Sequence, residues 1–217
     1  MKKIGLFGGT FDPVHNGHMA VARAVLDQLE LDILYFIPAA TPPHKADQFI
    51  TSFDHRLAML RLALQDEPRF VVSDIEGLRS GPSYTIDTLS QFCRKLGAGV
   101  DLFFIIGLDA FAEITTWKGY RELLERSSFV VIDRPSHGNH DLKEVVAGSF
   151  PDYQEDGPGI WWKEGGKRII SLSMEPVAVS SSMVRDVLRK GLAVENFIPP
   201  AVVSYLLSEH LYGKAVR

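Results

Sequence analysis

Residues 4–18 decide the fold, and they read Ile4-Gly5-Leu6-Phe7-Gly8-Gly9-Thr10-Phe11-Asp12-Pro13-Val14-His15-Asn16-Gly17-His18. A short apolar run leads into two glycines, and a helical pattern follows the second histidine. A buried strand, a glycine turn and a helix in this order form the kind of junction at which an open parallel sheet binds ligands. Gly8 and Gly9 let the backbone approach a ligand, and N–H groups at the helix start attract anions. The stretch therefore predicts a phosphate-binding site.

The same alternation of strand and helix continues along the chain. Apolar runs rich in Ile, Val and Phe predict strands at residues 4–7, 33–37, 70–73, 102–106, 129–132 and 169–172. The spacing of apolar residues predicts helices at 22–29, 53–64, 86–96 and 202–207. Strands that alternate with helices form a parallel sheet. We therefore expect an α/β fold, a Rossmann-like open parallel sheet with helices on both faces and a small C-terminal helical part.

A single domain is expected to span residues 1–217. Residues 134–167 interrupt the alternation of strands and helices, because they are rich in Gly, Pro, His and Asp around Trp161 and Trp162. We interpret them as a surface excursion, either a hairpin or an oligomer contact, so a homo-oligomer stays open. Residues 180–217 are expected to form the C-terminal helical part.

The composition is that of a soluble globular protein, with 46% hydrophobic and 23% charged residues. The formal net charge of −4 provides no overall basic field, so nucleic acid is not expected as a partner. No apolar stretch approaches the ~18 residues that a membrane helix needs, so no membrane partner is expected. The sequence has 1 cysteine, Cys93, which cannot form an intramolecular disulfide and favours a cytoplasmic location.

His15 and His18 are three positions apart at the predicted helix start, so both imidazoles can meet one phosphate chain. A zinc site would need further ligands, and the pair lacks both the spacing and the glutamate of a zinc protease helix. No metal-binding residues are therefore predicted. Neither a Walker loop nor a dinucleotide fingerprint follows the glycines, so a nucleotide would have to be held in another way.

The glycine and histidine motifs together resemble those of the bacterial nicotinate-nucleotide adenylyltransferases in the HxGH nucleotidyltransferase superfamily. Further segments resemble the motifs of the same family, namely Pro42-Pro43-His44-Lys45, Ser83-Tyr84-Thr85-Ile86-Asp87-Thr88-Leu89, Gly107-Leu108-Asp109 with Trp117, and Val179-Ser180-Ser181-Ser182-Met183-Val184-Arg185. The last segment differs from the superfamily signature Ile-Ser-Ser-Thr-x-Ile-Arg at three positions, which keep the shape and the hydroxyl group.

The resemblance implies transfer of the adenylyl group of ATP to nicotinate mononucleotide, with Mg²⁺ arriving on the ATP. The implied catalytic residues are His15, His18, Lys45 and Arg185. The implied ATP-binding residues are Gly8, Gly9, Thr10, Phe11, Gly107, Asp109, Ser180 and Ser181. The implied nicotinate-nucleotide-binding residues are Tyr84, Thr85, Trp117 and Lys118.

Other activities share parts of this pattern. Phosphopantetheine adenylyltransferases and cytidylyltransferases have the same histidine motif, whereas the segment 83–89 and Trp117 favour the nicotinate enzyme. A non-catalytic nucleotide sensor would use the same phosphate-binding loop. The presence of both histidines, Lys45 and Arg185 favours an enzyme over a sensor.

Overall fold

The computed structural model describes residues 1–42, 49–133, 141–175 and 177–213. The strands in these ranges are β1 Lys2–Gly9, β2 Ile33–Pro38, β3 Phe70–Val72, β4 Val100–Gly107, β5 Ser128–Asp133, β6 Gln154–Glu155, β7 Ile160–Trp162 and β8 Ile169–Ser173. The helices are α1 Asn16–Gln28, α2 Phe53–Ala63, α3 Thr85–Leu96, α4 Leu108–Ala112, α5 Tyr120–Arg126, α6 Leu142–Ser149, α7 Ser181–Arg189 and α8 Pro200–Ser208, with a 3₁₀ turn at Ile114–Thr116. Every strand and helix predicted from the apolar patterns is present.

The strands form one sheet in the order β3-β2-β1-β4-β5-β8-β7-β6. The first six strands in that order pair in parallel, and β7 and β6 are added antiparallel. The chain proceeds from β1 to β3 on one side and returns to β4 on the other side of β1. This reversal places a crevice at the carboxyl ends of β1 and β4, where open α/β sheets bind ligands.

Each face of the sheet has its own apolar core, which confirms the prediction of helices on both faces. One core contains Phe7 and Phe36 of the sheet together with side chains of α1, α2, α7 and α8. The other contains Leu6 and Phe104 of the sheet together with side chains of α3, α4, α5 and α6. Neighbouring residues Leu6 and Phe7 face opposite cores because side chains alternate along a strand.

Residues 141–167, the described part of the excursion predicted for 134–167, contain the hairpin that was one of the two alternatives, but they also contribute to the core. Helix α6 packs on the second core, and β6 and β7 form an antiparallel hairpin that extends the sheet. Phe150, Tyr153 and Trp161 are buried in that core, whereas Trp162 is exposed. Their irregular spacing among glycines and polar residues follows neither the helical nor the strand period, so the pattern hides their burial.

The hydroxyl group of Tyr153 is buried without a hydrogen-bond partner among the described residues. Tyr153→Phe is therefore expected to raise the free energy of unfolding by about 1 kcal/mol at pH 7, as measured by urea denaturation. Burial, and next the charge of Glu125, raise the pKa of Tyr153 to about 12. The unfolded state therefore ionises first, so the free energy of unfolding of the wild type falls as the pH rises from the ordinary tyrosine value toward 12, whereas Tyr153→Phe lacks this dependence. A free energy of unfolding for Tyr153→Phe that is clearly lower than that of the wild type at pH 7 would contradict the expectation.

Candidate active site

A cavity of about 470 Å³ lies at the crevice between the carboxyl ends of β1 and β4. It brings together eight of the predicted site residues, namely Gly8, Gly9, Thr10, Tyr84, Thr85, Gly107, Trp117 and Lys118. These residues come from the ends of two strands, the start of α3 and the turn before α5. The wall of the cavity is thus built from segments that are far apart in the sequence.

Packing leaves little room for a side chain at either of the two glycines at the end of β1. A Cβ atom on Gly9 would lie 2.9 Å from Cζ of Phe11, and one on Gly8 would lie 3.2 Å from Cζ of Phe104. The Phe11 side chain is only 1% exposed, and it packs in the core beneath the strand end. The predicted contact of Phe11 with ATP could therefore involve only its main chain.

His15 and His18 bond to each other at the start of α1. His15 is the N-cap residue, and its Nδ1 accepts from the main-chain N–H of His18 at 3.3 Å. The Nδ1 of His18 in turn accepts from the main-chain N–H of His15 at 3.2 Å. The two rings stack with their centroids 3.6 Å apart. This reciprocal capping box fixes both imidazoles relative to the helix start.

The capping box also determines which nitrogen of each ring carries the proton. Because Nδ1 accepts a hydrogen bond in both rings, each neutral imidazole carries its hydrogen on Nε2. Nε2 is thus the ring nitrogen with which each neutral imidazole can donate.

Helix α7 fixes the loop between β1 and α1 from outside. Ser180 is the N-cap of α7, and its Oγ accepts from the main-chain N–H of Met183 at 3.2 Å. Oγ of Ser181 donates to the carbonyl of Pro13 at 2.9 Å. Nη1 of Arg185 donates to the carbonyl of Asp12 at 2.6 Å. The C-terminal motif and the histidine motif, which are far apart in the sequence, thus meet at one loop.

The start of α3 offers hydrogen-bond donors to the cavity. The N-cap residue Tyr84 makes no side-chain cap, and the main-chain N–H of Thr85 has no partner among the described residues. The main-chain N–H of Lys118 is likewise without a partner within the same ranges. The side chain of Lys118 reaches Oδ2 of Asp87 at 3.2 Å and lies 4.6 Å from the centre of the Tyr84 ring. Thr85 and Lys118 thus present two donors to one region.

Among the described residues, seven predicted site residues do not line the cavity. Six of them belong to the loop after β1, the start of α1 and helix α7 with its N-cap, namely Phe11, His15, His18, Ser180, Ser181 and Arg185. Asp109 is exposed in the first turn of α4, beside the cavity mouth and outside the cavity wall. Lys45 lies outside the described residues. Among the described residues, no group of three or more His, Cys, Asp and Glu side chains could hold a metal ion.

A buried polar group beside the cavity was missed by the sequence analysis. Oγ1 of Thr88 donates to Oε1 of Glu76 at 2.6 Å, and Nη2 of Arg79 donates to Oγ1 of Thr88 at 2.9 Å. Glu76 and Thr88 are both buried and line the cavity. Thr88 lay within a recognised motif, but a charged residue in the loop before that motif gives no periodic signal of its burial.

Comparison with known proteins identifies the class. The cytidylyltransferase-like family matches residues 6–187, a range that includes both histidines and Arg185. The chain belongs to the cytidylyltransferase-like family of nucleotidyltransferases.

No helix in the described part of the chain is long and apolar enough to cross a membrane.

Within this family, the similar chains of nearly equal length are nicotinate-nucleotide adenylyltransferases. The chain is 37% identical over 217 residues to the "Probable nicotinate-nucleotide adenylyltransferase" of Citrifermentans bemidjiense, covering 98% of this chain and 99% of the relative. It is 38% identical over 214 residues to the protein of the same name from Desulfotalea psychrophila, covering 98% and 100%. The resemblance noted in the sequence is confirmed.

The fold is also shared with a solved structure titled Plasmodium falciparum nicotinic acid mononucleotide adenylyltransferase complexed with NaAD. The TM-score is 0.75 at 20% identity, with 98% of each chain covered. A second structure of that protein, titled as complexed with APC, has a TM-score of 0.74 at 19% identity. At this identity the comparison establishes the common Rossmann-like fold.

Proposed function

We propose that the protein is a nicotinate-nucleotide adenylyltransferase, which transfers the adenylyl group of ATP to nicotinate mononucleotide. The products are nicotinate adenine dinucleotide and pyrophosphate, and the reaction belongs to NAD biosynthesis. One observation carries the proposal: a single cavity is lined both by residues 8–10, which lead into the loop before the histidine capping box, and by the uncapped start of α3 beside Trp117. The first part suits the phosphates of ATP, and the second suits an aromatic carboxylate.

The reaction is an in-line attack by an oxygen of the acceptor 5′-phosphate on the α-phosphorus of ATP. A new P–O bond forms to that phosphorus, the bond from it to the β-phosphate oxygen breaks, and pyrophosphate leaves with the bonding electrons. Because the attacking phosphate arrives ionised, neither a protein nucleophile nor a general base is needed. Catalysis then reduces to orientation and to stabilisation of charge on the phosphate oxygens.

The histidine loop is assigned to the phosphates of ATP. His15 and His18 would donate from Nε2, and the loop Gly8–Phe11 would offer main-chain groups at the end of β1. Arg185 supplies a guanidinium next to this loop, and apart from the bond to the Asp12 carbonyl it makes no hydrogen bond within the described residues. Lys45 is proposed as a further cation. Gly107, Asp109, Ser180 and Ser181 are proposed to contact the adenosine part.

The nicotinate mononucleotide is assigned to the other end of the cavity. Trp117 lines that end and is half-buried, so one face of its indole could stack on the pyridine ring. The main-chain N–H groups of Thr85 and Lys118 would bind the carboxylate, aided by the positive end of α3. Tyr84, which is held by the cation of Lys118, would close the side of the pocket.

Mg²⁺ is proposed to arrive with ATP, where it would neutralise part of the negative charge on the phosphates. It prefers oxygen ligands and keeps several waters, so the phosphate oxygens themselves suit it. No residue of the described ranges is proposed as a dedicated ligand. The single cysteine supports a reducing, cytoplasmic location.

The proposal is tested by incubating the protein with ATP, Mg²⁺ and a panel of acceptors. Pyrophosphate and the dinucleotide product are measured for nicotinate mononucleotide, its amide and 4′-phosphopantetheine, and CTP replaces ATP in a parallel series. Rapid product formation with nicotinate mononucleotide and ATP is expected. Turnover only with phosphopantetheine as the acceptor, or only with CTP as the nucleotide, would favour another transferase. Binding of ATP without release of pyrophosphate would indicate a sensor.

Arg185→Ala is expected to raise KM for ATP by about tenfold, while KM for nicotinate mononucleotide changes less than about twofold. The reason is that a guanidinium forms charge-assisted bonds to phosphate that alanine cannot replace. Initial rates measured with each substrate varied in turn provide the test. Arg189→Ala is the matched control, because Arg189 lies on the same helix and bonds to Asp186 at the surface. A defect restricted to the acceptor would contradict this assignment.

A further inference from the structure

Asp12 lies at the centre of a buried polar cluster under the loop that precedes the histidine pair. Asp12 is only 4% exposed. Its Oδ1 accepts a hydrogen bond from the hydroxyl of Tyr212, and its Oδ2 accepts from the main-chain N–H of Thr51 at 3.3 Å. Arg185 bonds to the main-chain carbonyl of the same residue. Asp12 is therefore held at both its side chain and its main chain.

Arg56 of α2 holds the same loop from a second direction. Its side chain is 1% exposed, and its Nε and Nη1 donate to the carbonyls of Thr51 and Thr10, each at 2.8 Å. Desolvation lowers the pKa of Arg56, and the negative charge of Asp12 acts in the opposite direction. A buried guanidinium of this kind is stable only with hydrogen bonds and a compensating charge. The carbonyls of Thr51 and Thr10 supply the hydrogen bonds, and Asp12 is the nearby negative charge that acts most strongly on the guanidinium.

The loop from Thr10 to Pro13 is thus fixed by side chains of other elements. The carbonyls of Thr10, Asp12 and Pro13 accept from Arg56, Arg185 and Ser181, respectively. Each donor comes from outside the β1–α1 unit. His15 follows this loop by two residues and begins the capping box, so a shift of the loop would move both imidazoles. Orientation errors of about 1 Å can lower an enzymatic rate by up to about 10²-fold.

We propose that Tyr212 and Arg56 are positioning residues for adenylyl transfer, which set the histidine pair through Asp12 and Thr10 without touching substrate. The inference rests on the proposed function for its readout. Tyr212 lies in the segment after α8, so the chain that follows the last helix returns to complete the support of the first loop. Burial, and next the bond to Asp12, raise the pKa of Tyr212 well above its ordinary value, which keeps the hydroxyl a donor at neutral pH.

Tyr212→Phe removes the hydroxyl and keeps the ring. We expect kcat to fall about tenfold, while KM for ATP and for nicotinate mononucleotide stays within about twofold, because the loop loses one constraint but its substrate contacts remain. The matched control is Tyr205→Phe, which removes a hydroxyl bonded to Nδ1 of His55 at 2.8 Å on the neighbouring helix. This control should lose comparable stability in urea and keep the wild-type kcat.

A second measurement follows the hydrogen bonding of the two histidine rings by NMR. The ¹⁵N chemical shifts of the imidazoles report whether Nδ1 still accepts a hydrogen bond, and we expect those of His15 and His18 to change in Tyr212→Phe and to stay fixed in Tyr205→Phe. An Asp12→Asn, Tyr212→Phe double mutant should lose no more kcat than the worse single mutant, because Tyr212 acts through Asp12.

The outcomes are distinguishable. A wild-type kcat in Tyr212→Phe, or equal losses of kcat in the two tyrosine variants, would overturn the positioning role. Unchanged histidine shifts in Tyr212→Phe would do the same. If the wild type itself forms no dinucleotide from ATP and nicotinate mononucleotide, the proposed function fails, whereas the histidine shifts still test whether Tyr212 sets the loop.

Discussion

His18→Ala is expected to lower kcat for adenylyl transfer by about 10²-fold or more, because under the proposed function it removes a fixed donor to the phosphates. The donor is the Nε2–H group, because Nδ1 of His18 accepts the main-chain hydrogen bond of the capping box. The same change also removes the acceptor for the main-chain N–H of His15, so the free energy of unfolding should fall by about 1 kcal/mol. Steady-state rates and urea denaturation measure the two effects.

His18→Gln separates catalysis from capping. Glutamine is a natural partner at this position of a capping box, because its carbonyl accepts from the N-cap N–H. The variant should recover most of the stability that alanine loses, but it cannot place a donor where the imidazole Nε2 lies. A low kcat in a stable glutamine variant is therefore the expected result. Near-normal turnover in the alanine variant would remove His18 from the mechanism.

The second large effect expected is a preference for nicotinate mononucleotide over its amide. A carboxylate accepts with both oxygens and can take the N–H groups of Thr85 and Lys118 together. A carboxamide would turn its NH₂ group toward one of these donors and leave a buried group unpaired, which costs about 1–3 kcal/mol. This corresponds to roughly 5- to 150-fold in kcat/KM, and the loss of a charge-assisted bond at the start of α3 adds to it.

The measurement compares kcat/KM for the two acceptors under the same ATP and Mg²⁺ concentrations. Trp117→Ala serves as a control, because stacking does not distinguish the two rings: both acceptors should weaken together and their ratio should persist. Equal kcat/KM values in the wild type would remove Thr85 and Lys118 as carboxylate donors. The adenylyl-transfer assignment would stand in that case.

The parts of the site that the sequence could predict are those carried by local patterns. Strand and helix periods place β1 and α1, and the glycines between them mark the crevice at the sheet reversal. The pairing of His15 with His18 follows from their spacing, although the choice of Nδ1 as acceptor depends on the capping geometry. Residues close in sequence are thus predictable because the helix sets their relative positions.

The parts that could not be predicted depend on contacts between distant segments. Asp12, Arg56 and Tyr212 come from a loop, a helix and the segment after α8, and no period relates them. Charged residues are rarely buried without partners, so the burial of Arg56 could not be expected before its partners were known. The burial of Trp161 was hidden in the same way, because it depends on which strand the hairpin joins.

The hairpin of β6 and β7 shortens one edge of the sheet. Without it, β8 would end the sheet and expose a five-residue row of main-chain donors and acceptors to other copies. The added edge, β6, has only two residues, and its Glu155 pairs with Lys143 at 2.9 Å. The opposite edge, β3, has three residues. In the described part of the chain, both edges of the sheet therefore offer few main-chain groups with which a strand of another molecule could pair.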